Sequence, residues 1–168
     1  MPSVRLSSAL VALCLVAPPA AAQFTEEVLL RQGAWHVSYV RNDFTGADWC
    51  EAATVNREGT SFDITLFSDG AAAMYIMDDG WDFGGHAYFP IVIDIDRSRW
   101  TIEATAGGTA ISFFFSEDLA TRRFLRELQA GNAVAVYEQG MSRPFARFSL
   151  SGSRVAINAV FQCWGMIQ

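Results

Sequence analysis

Short segments that alternate apolar and polar residues, separated by turn signals, most restrict the fold of this chain. Eight of them are rich in β-branched and aromatic residues, as is typical of strands, and they lie at 35–40, 61–67, 72–77, 88–95, 100–104, 109–115, 133–138 and 145–150. Glycine-containing stretches between several of them are typical of hairpin turns. We therefore expect a mainly β (α+β) fold, either an antiparallel β-sandwich or a partly closed barrel of about eight strands.

Two helices are predicted in the second half of the chain. The first spans about 117–130, and the second spans about 154–164 with Ser153 as its N-cap. The polar residues of the second helix form one narrow stripe, made of Arg154, Asn158 and Gln162. Because its other faces are apolar, we expect this C-terminal helix to pack on the sheet or to cover a partner.

Residues 1–22 have the pattern of a secretory signal peptide. Arg5 supplies a positive start, 9–17 are apolar, and three alanines at 20–22 resemble a cleavage site. The apolar run is shorter than the roughly 20 residues that a transmembrane helix needs. The sequence thus predicts a periplasmic or secreted protein without a transmembrane segment, in which 23–168 form one β-rich domain.

Cys50 and Cys163 are the cysteines outside the signal segment, since Cys14 lies within it. Two cysteines in an exported chain are expected to form one disulfide. In the chain-entropy description, closing so long a loop stabilises the fold by about 4 to 5 kcal/mol.

Charge and motif content exclude several function classes. All 12 basic residues are arginine, and the net charge is −6. Without a basic run, nucleic acid is not an expected partner, and without lysine there is no Schiff-base chemistry. The chain lacks the Gly-x-Ser-x-Gly motif, and it lacks the His-x-x-x-His and Cys-x-x-Cys spacings, so we predict no catalytic serine, metal or cofactor.

The segment 78–89 carries the most candidate chemistry. Its candidate binding residues are Asp79, Trp81, Asp82, His86 and Tyr88. Trp81 could stack on a sugar whose hydroxyls donate to the carboxylates, or the carboxylates could hold calcium, although the ligand order of an EF-hand is missing. Alternatively the segment is a polar hairpin loop whose aromatic residues fold back onto the sandwich edge, and the usual packing role of aromatic residues favours this alternative.

The expected function is a non-catalytic exported binding or envelope accessory module, because no catalytic constellation is complete. Its partner would be an unknown protein or glycan of the cell envelope, and an inhibitor of another exported protein is one form of such a module. One alternative is a hydrolase with a carboxylate-based site around Asp79, Asp82 and His86. Another is a structural envelope protein that self-associates through the C-terminal helix.

Two segments are similar to a known family. With its signal peptide, the early Asp48-Trp49-Cys50 and the late Phe-Ser-Leu-Ser-Gly-Ser-Arg-Val-Ala-Ile at 148–157, the chain resembles the invasion-associated locus B family of small exported alphaproteobacterial proteins. In that family the late strand ends in Leu-x-Gly-Phe and enters a helix with alanine on its inner side. This chain departs by carrying Ser153 where an aromatic residue is common, and by ending its helix on Cys163. The resemblance implies a β-rich exported domain and provides no enzymatic residues.

Overall fold

The computed structural model describes residues 24–116 and 119–168. The elements along these residues are β1 (Phe24–Gln32), β2 (Trp35–Asn42), β3 (Asp48–Val55), β4 (Ser61–Phe67), β5 (Ala72–Met77), β6 (Ala87–Tyr88), β7 (Ile91–Ile95), β8 (Ser98–Ile102), β9 (Thr105–Gly107), β10 (Ala110–Phe114), α1 (Leu119–Ala130), β11 (Ala133–Glu138), β12 (Ala146–Ser149) and α2 (Ser153–Ile167). The predicted signal segment 1–22, and the predicted start of the first helix at 117–118, lie outside the described residues.

The strands form two antiparallel sheets. The larger has the order β1-β2-β3-β4-β5-β10-β9-β6, and the smaller has the order β12-β11-β7-β8. The predicted mainly β fold with two helices is confirmed, in its sandwich-like form, and the sheets do not close into a barrel.

Three described strands lie where the sequence predicts none. They are β1, β3 and the short β9. The predicted strand at 88–95 is divided at Phe89 and Pro90 into β6 of the larger sheet and β7 of the smaller one. A proline has no N–H to donate to a strand ladder, which explains why the chain leaves one sheet at this point and enters the other.

One face of the larger sheet lies in the core. The alternation in β4 places Phe62, Ile64 and Leu66 there, and Ile91 and Ile93 of β7 approach from the smaller sheet. Burying one face of each sheet removes apolar side chains from water, which is the main favourable contribution to folding.

α2 packs on the core face of the larger sheet, as predicted. It contacts β3 most, together with β1, β2 and β4. Ala156, Ile157 and Val160 are buried at this contact. The predicted disulfide between Cys50 of β3 and Cys163 of α2 is confirmed, with the two Cα atoms 6.0 Å apart.

The prediction that Ser153 caps α2 is wrong. Gly152 occupies the N-cap position with a φ of 97°, and no side chain caps the helix. Ser153 is buried as the first helical residue, where its hydroxyl donates to the carbonyl oxygen of Leu128 at 2.7 Å. A Cβ added at Gly152 would collide with the carbonyl oxygen of Gln32, so both the backbone angle and the packing on β1 require glycine. The serine therefore joins α2 to α1, and the turn geometry comes from the glycine.

Candidate functional site

The larger sheet has a second face, opposite to α2 and the smaller sheet, which we call the outer face. The strand register defines two rows of side chains across it. The long row contains Arg31, His36, Ala53, Asp63, Tyr75, Ser112, Thr105 and Tyr88. The short row contains Val28, Ser38, Glu51, Thr65, Ala73 and Phe114. Small side chains in the middle of both rows are buried, whereas large apolar ones at the ends are exposed.

Three side chains with metal-ligating atoms converge at the β1–β3 end of the outer face. The ligand atoms of Glu26, His36 and Glu51 all lie within 4.8 Å of one another. Ser38, fully buried between them, donates its hydroxyl to Glu26 Oε1 at 2.7 Å. Trp49 Nε1 donates to Glu51 Oε2 at 3.2 Å. These two bonds orient the carboxylates and use one oxygen of each. We call Glu26, His36 and Glu51 the outer-face cluster.

Asp63 lies beside this cluster on β4. Glu51 is paired with Thr65, two residues along the strand, so Asp63 is its diagonal neighbour on the same face. Asp63 is only 4% exposed; its Oδ2 accepts from the Ser61 hydroxyl at 3.0 Å, and its Oδ1 has no hydrogen-bond partner. Burial raises the pKa of Asp63 to about 7; the negative charge of Glu51 adds to this, and the Ser61 hydrogen bond opposes it.

The pKa of Glu51 is raised as well. Burial is the largest cause, and the charge of Glu26 also raises it, while the Trp49 hydrogen bond and the nearby His36 lower it. Among residues 24–116 and 119–168, the side-chain ion pairs are Arg99–Asp94 and Arg123–Glu127, and neither reaches this cluster. The outer face therefore brings together carboxylates that no arginine of the described chain neutralises.

The predicted binding residues are spread along the 78–89 loop and β6. Trp81 packs edge-on against Phe83 and Phe145, with ring centroids 5.4 and 5.7 Å apart. Asp79 and Asp82 are exposed, and Asp82 Oδ1 accepts from the backbone N–H of Gly84 at 3.0 Å. Trp81 thus packs against the edge of the fold, as the alternative interpretation of this loop expects.

His86 and Tyr88 lie apart from those carboxylates. The imidazole of His86 covers Gly107, where an added Cβ would come within 2.6 Å of Nδ1. Tyr88 belongs to β6 and ends the long row of the outer face, where its side chain is exposed. Of the five predicted residues, Tyr88 is the one that the strand register places in an outer-face row.

The residues of the hydrolase alternative do not form a group at metal-ligand distance among the described residues. Within the described part of the chain, the outer-face cluster is the group of three His, Cys, Asp or Glu side chains whose ligand atoms lie within 4.8 Å of one another. Asp79, Asp82 and His86 do not form such a group. Asp94 of β7 accepts two hydrogen bonds from Arg99, at 2.7 and 2.8 Å. These bonds to the Arg99 guanidinium lower the pKa of Asp94, so this carboxylate serves an ion pair.

The sequence interpretation did not propose Glu26, Glu51 or Asp63 as site residues. One signal was present: alternation within the segment 61–67 puts Asp63 opposite to the apolar Phe62. Glu26 and Glu51 lie in strands that were not predicted, so no local pattern could bring them to His36.

Comparisons with protein-family models, curated proteins and solved structures find no match for this chain. Neither described helix is long and apolar enough to cross a membrane. The Cys50–Cys163 disulfide fits an oxidising compartment.

Proposed function

We propose that this protein is a non-catalytic periplasmic or secreted module that binds a protein of the cell envelope through its outer face. The observation that carries the proposal is the exposure of large apolar side chains at the ends of the two rows: Val28 is 42% exposed, Tyr88 66% and Phe114 68%. We take these side chains as the apolar part of a surface that another molecule covers.

A protein fits this surface better than a glycan does. Val55 and Met77, which are also exposed, are both paired with Ser61 of β4, two residues before Asp63 and therefore on the same face. Three of the five exposed apolar side chains on this face, Val28, Val55 and Met77, are aliphatic; such side chains pack in the core of a protein interface, and only Tyr88 and Phe114 offer a ring on which a sugar could stack. The resemblance to the invasion-associated locus B family implies an exported β-rich domain, and an inhibitor of another exported protein is one form of the proposed module.

Affinity capture from a periplasmic extract tests the proposal. Phe114→Arg and Tyr88→Arg place a charge on the outer face at exposed positions, so the fold should persist. Met141→Arg is the matched control, because Met141 is 59% exposed in the turn between β11 and β12. Asp82→Arg tests the loop.

We expect the wild type, Met141→Arg and Asp82→Arg to retain the same partner, and the two outer-face variants to lose it. Loss with Asp82→Arg and retention with Phe114→Arg would assign the contact to the loop and refute the outer face. If the wild type captures no protein, the binding function itself is wrong.

Self-association through α2 is a second candidate, because α2 has an apolar exposed side. Val155 is 46% exposed and Met166 77% exposed, and they line a groove of about 490 Å³ with Leu29 and Leu30 of β1. Val155→Asp should convert an oligomer to a monomer in light scattering. A wild-type protein that is already monomeric would contradict this candidate. Val160 is unsuitable for the test, because it is fully buried in the core.

A further inference from the structure

Several polar atoms of the outer-face cluster have no hydrogen-bond partner among the described residues. After the bonds from Ser38 and Trp49, one oxygen of Glu26, one oxygen of Glu51 and the ring nitrogens of His36 have no hydrogen-bond partner within the described residues. Arg31 is paired with His36 across β1 and β2, but it is exposed and forms no ion pair with any described residue. Ligand atoms of Glu26, His36 and Glu51 lie within 4.8 Å of one another, so a cation bound among them could accept their lone pairs.

A buried oxygen without a hydrogen-bond partner lies on the strand next to Glu51. Asp63 Oδ1 is buried without a hydrogen bond, although buried polar atoms in native proteins nearly always have a partner or an ion. In the long row, Ala53 separates His36 from Asp63. Ala53 projects only a methyl group, and this group is buried. Asp63 is therefore a neighbour of the cluster whose Oδ1 is not used in any hydrogen bond among the described residues.

We propose that Glu26, His36 and Glu51 form a binding site for a divalent transition-metal ion of the Zn²⁺ type. One imidazole and two carboxylates are an established kind of ligand set for such ions. An imidazole ligand argues against Ca²⁺ and Mg²⁺, which take oxygen ligands. The proposal goes beyond the proposed function, because the site would exist whether or not the outer face binds a protein.

To bind one metal ion, the three ligand atoms must move closer together. Zn²⁺ bonds to histidine nitrogen and carboxylate oxygen are about 2.0 to 2.2 Å, so ligand atoms around one ion stand about 3.4 Å apart. The present atoms lie within 4.8 Å of one another, and Glu26, held by one hydrogen bond from Ser38, is an exposed residue. The other two ligands project from adjacent strands of a sheet, which holds their spacing.

Side chains next to the three ligands donate hydrogen bonds to them, as is usual around a metal site. Ser38 and Trp49 donate hydrogen bonds to the two ligating carboxylates, and Asp63, with its unpartnered Oδ1, lies diagonally beside Glu51 on the adjacent strand. Such partners fix ligand orientation, and removing them typically weakens metal binding 10- to 100-fold. Three protein ligands also leave a coordination position open, which water or a group from a partner can fill.

Zinc titration of the EDTA-treated, dialysed protein by calorimetry tests the site. The wild type should bind one Zn²⁺ per chain, and Zn²⁺ should raise its melting temperature. His36→Gln and Glu51→Gln should weaken binding at least about 10-fold. The matched control is His86→Gln, which removes the other histidine of the chain and should leave affinity unchanged.

Two further measurements keep the test decisive if a buried variant folds poorly. Glu26→Gln changes an exposed side chain, so its fold should persist, and it should also weaken binding. Co²⁺ should give visible absorption bands in the wild type and in His86→Gln, and lose them in His36→Gln. Absence of stoichiometric binding by the wild type would overturn the proposal. So would wild-type affinity in His36→Gln, or loss of binding in His86→Gln.

Discussion

Replacing Asp63 by asparagine should remove the largest contribution to the fall in the free energy of unfolding with rising pH. The carboxyl group is almost completely buried, has one oxygen without a partner and has a pKa raised to about 7 from an ordinary value of 3.8. Burial is the main cause and Glu51 is the second. An asparagine at this position would keep the size of the side chain and carry no charge at any pH.

The direction of this pH effect on the free energy of unfolding follows from proton binding to Asp63. Between pH 3.8 and about 7 the folded protein holds a proton on Asp63 that the unfolded chain has lost, so the free energy of unfolding falls as the pH rises through this window. Each unit of pKa difference corresponds to about 1.36 kcal/mol, which gives a loss of up to about 4 kcal/mol by pH 8. Asp63→Asn removes this loss. The variant should therefore match the wild type near pH 4 and exceed it by up to about 4 kcal/mol at pH 8.

Urea unfolding at a series of pH values, followed by tryptophan fluorescence in EDTA with the disulfide intact, measures this difference. Asp94→Asn is the control, because the pKa of Asp94 is lowered by its hydrogen bonds from Arg99. It should have the opposite sign: a small destabilisation at neutral pH that disappears as the pH falls. Parallel pH profiles for the wild type and Asp63→Asn would refute the account of Asp63.

Three further variants test the fold in urea unfolding. Gly152→Ala should lower the free energy of unfolding by about 1 to 3 kcal/mol, because Gly152 has a φ of 97° and an added Cβ would collide with β1. The loss should exceed that of Gly140→Ala, because Gly140 has a φ of 88° but open space around it. Equal losses would contradict the packing role of Gly152. Replacing Cys50 and Cys163 together by alanine should cost about 4 to 5 kcal/mol, since the bridge closes a loop of 113 residues; an unchanged stability would show that the bridge constrains little. Trp81→Ala should cost about 2 kcal/mol, less than for a fully buried aromatic residue, and a change within about 0.5 kcal/mol would mean that Trp81 is free for ligands.

The alternation in the sequence predicted much of the core. The strands 61–67, 72–77 and 133–138 match β4, β5 and β11 in full, because a half-buried strand repeats every two residues and no helix does. The C-terminal helix and its bridge followed from apolar spacing and from the count of cysteines. These signals are local, or they concern residues that have only one possible partner.

β1 and β3 could not be predicted in the same way. β1 reads Phe-Thr-Glu-Glu-Val-Leu-Leu-Arg-Gln, lies at the edge of its sheet and is mostly exposed, so no alternation marks it. It also contains a register shift between Val28 and Leu30. Residues of β3 such as Ala52 and Ala53 have little strand preference of their own and are ordered by the strands on both sides.

The outer-face cluster depends on this unpredicted part. Alternation within the predicted strand 35–40 places His36 on the side opposite to Trp35, but its neighbours Glu26 and Glu51 come from β1 and β3. Contact between them is set by the register of three strands, which is a property of the whole sheet. Ser153 shows the same limit, because a buried carbonyl of α1 and not its own helix decides its hydrogen bond.

Site-specific photo-crosslinking in living cells tests most directly whether the outer face is the binding surface. A photoreactive phenylalanine analogue would replace Tyr88 or Phe114 on the outer face. The same analogue would replace Phe44 in the β2–β3 turn or Met141 in the β11–β12 turn, both of which are exposed elsewhere. Mass spectrometry of the adducts should find one protein joined to positions 88 and 114 and not to positions 44 and 141. Adducts at 44 or 141 with none at 88 and 114 would contradict the assignment.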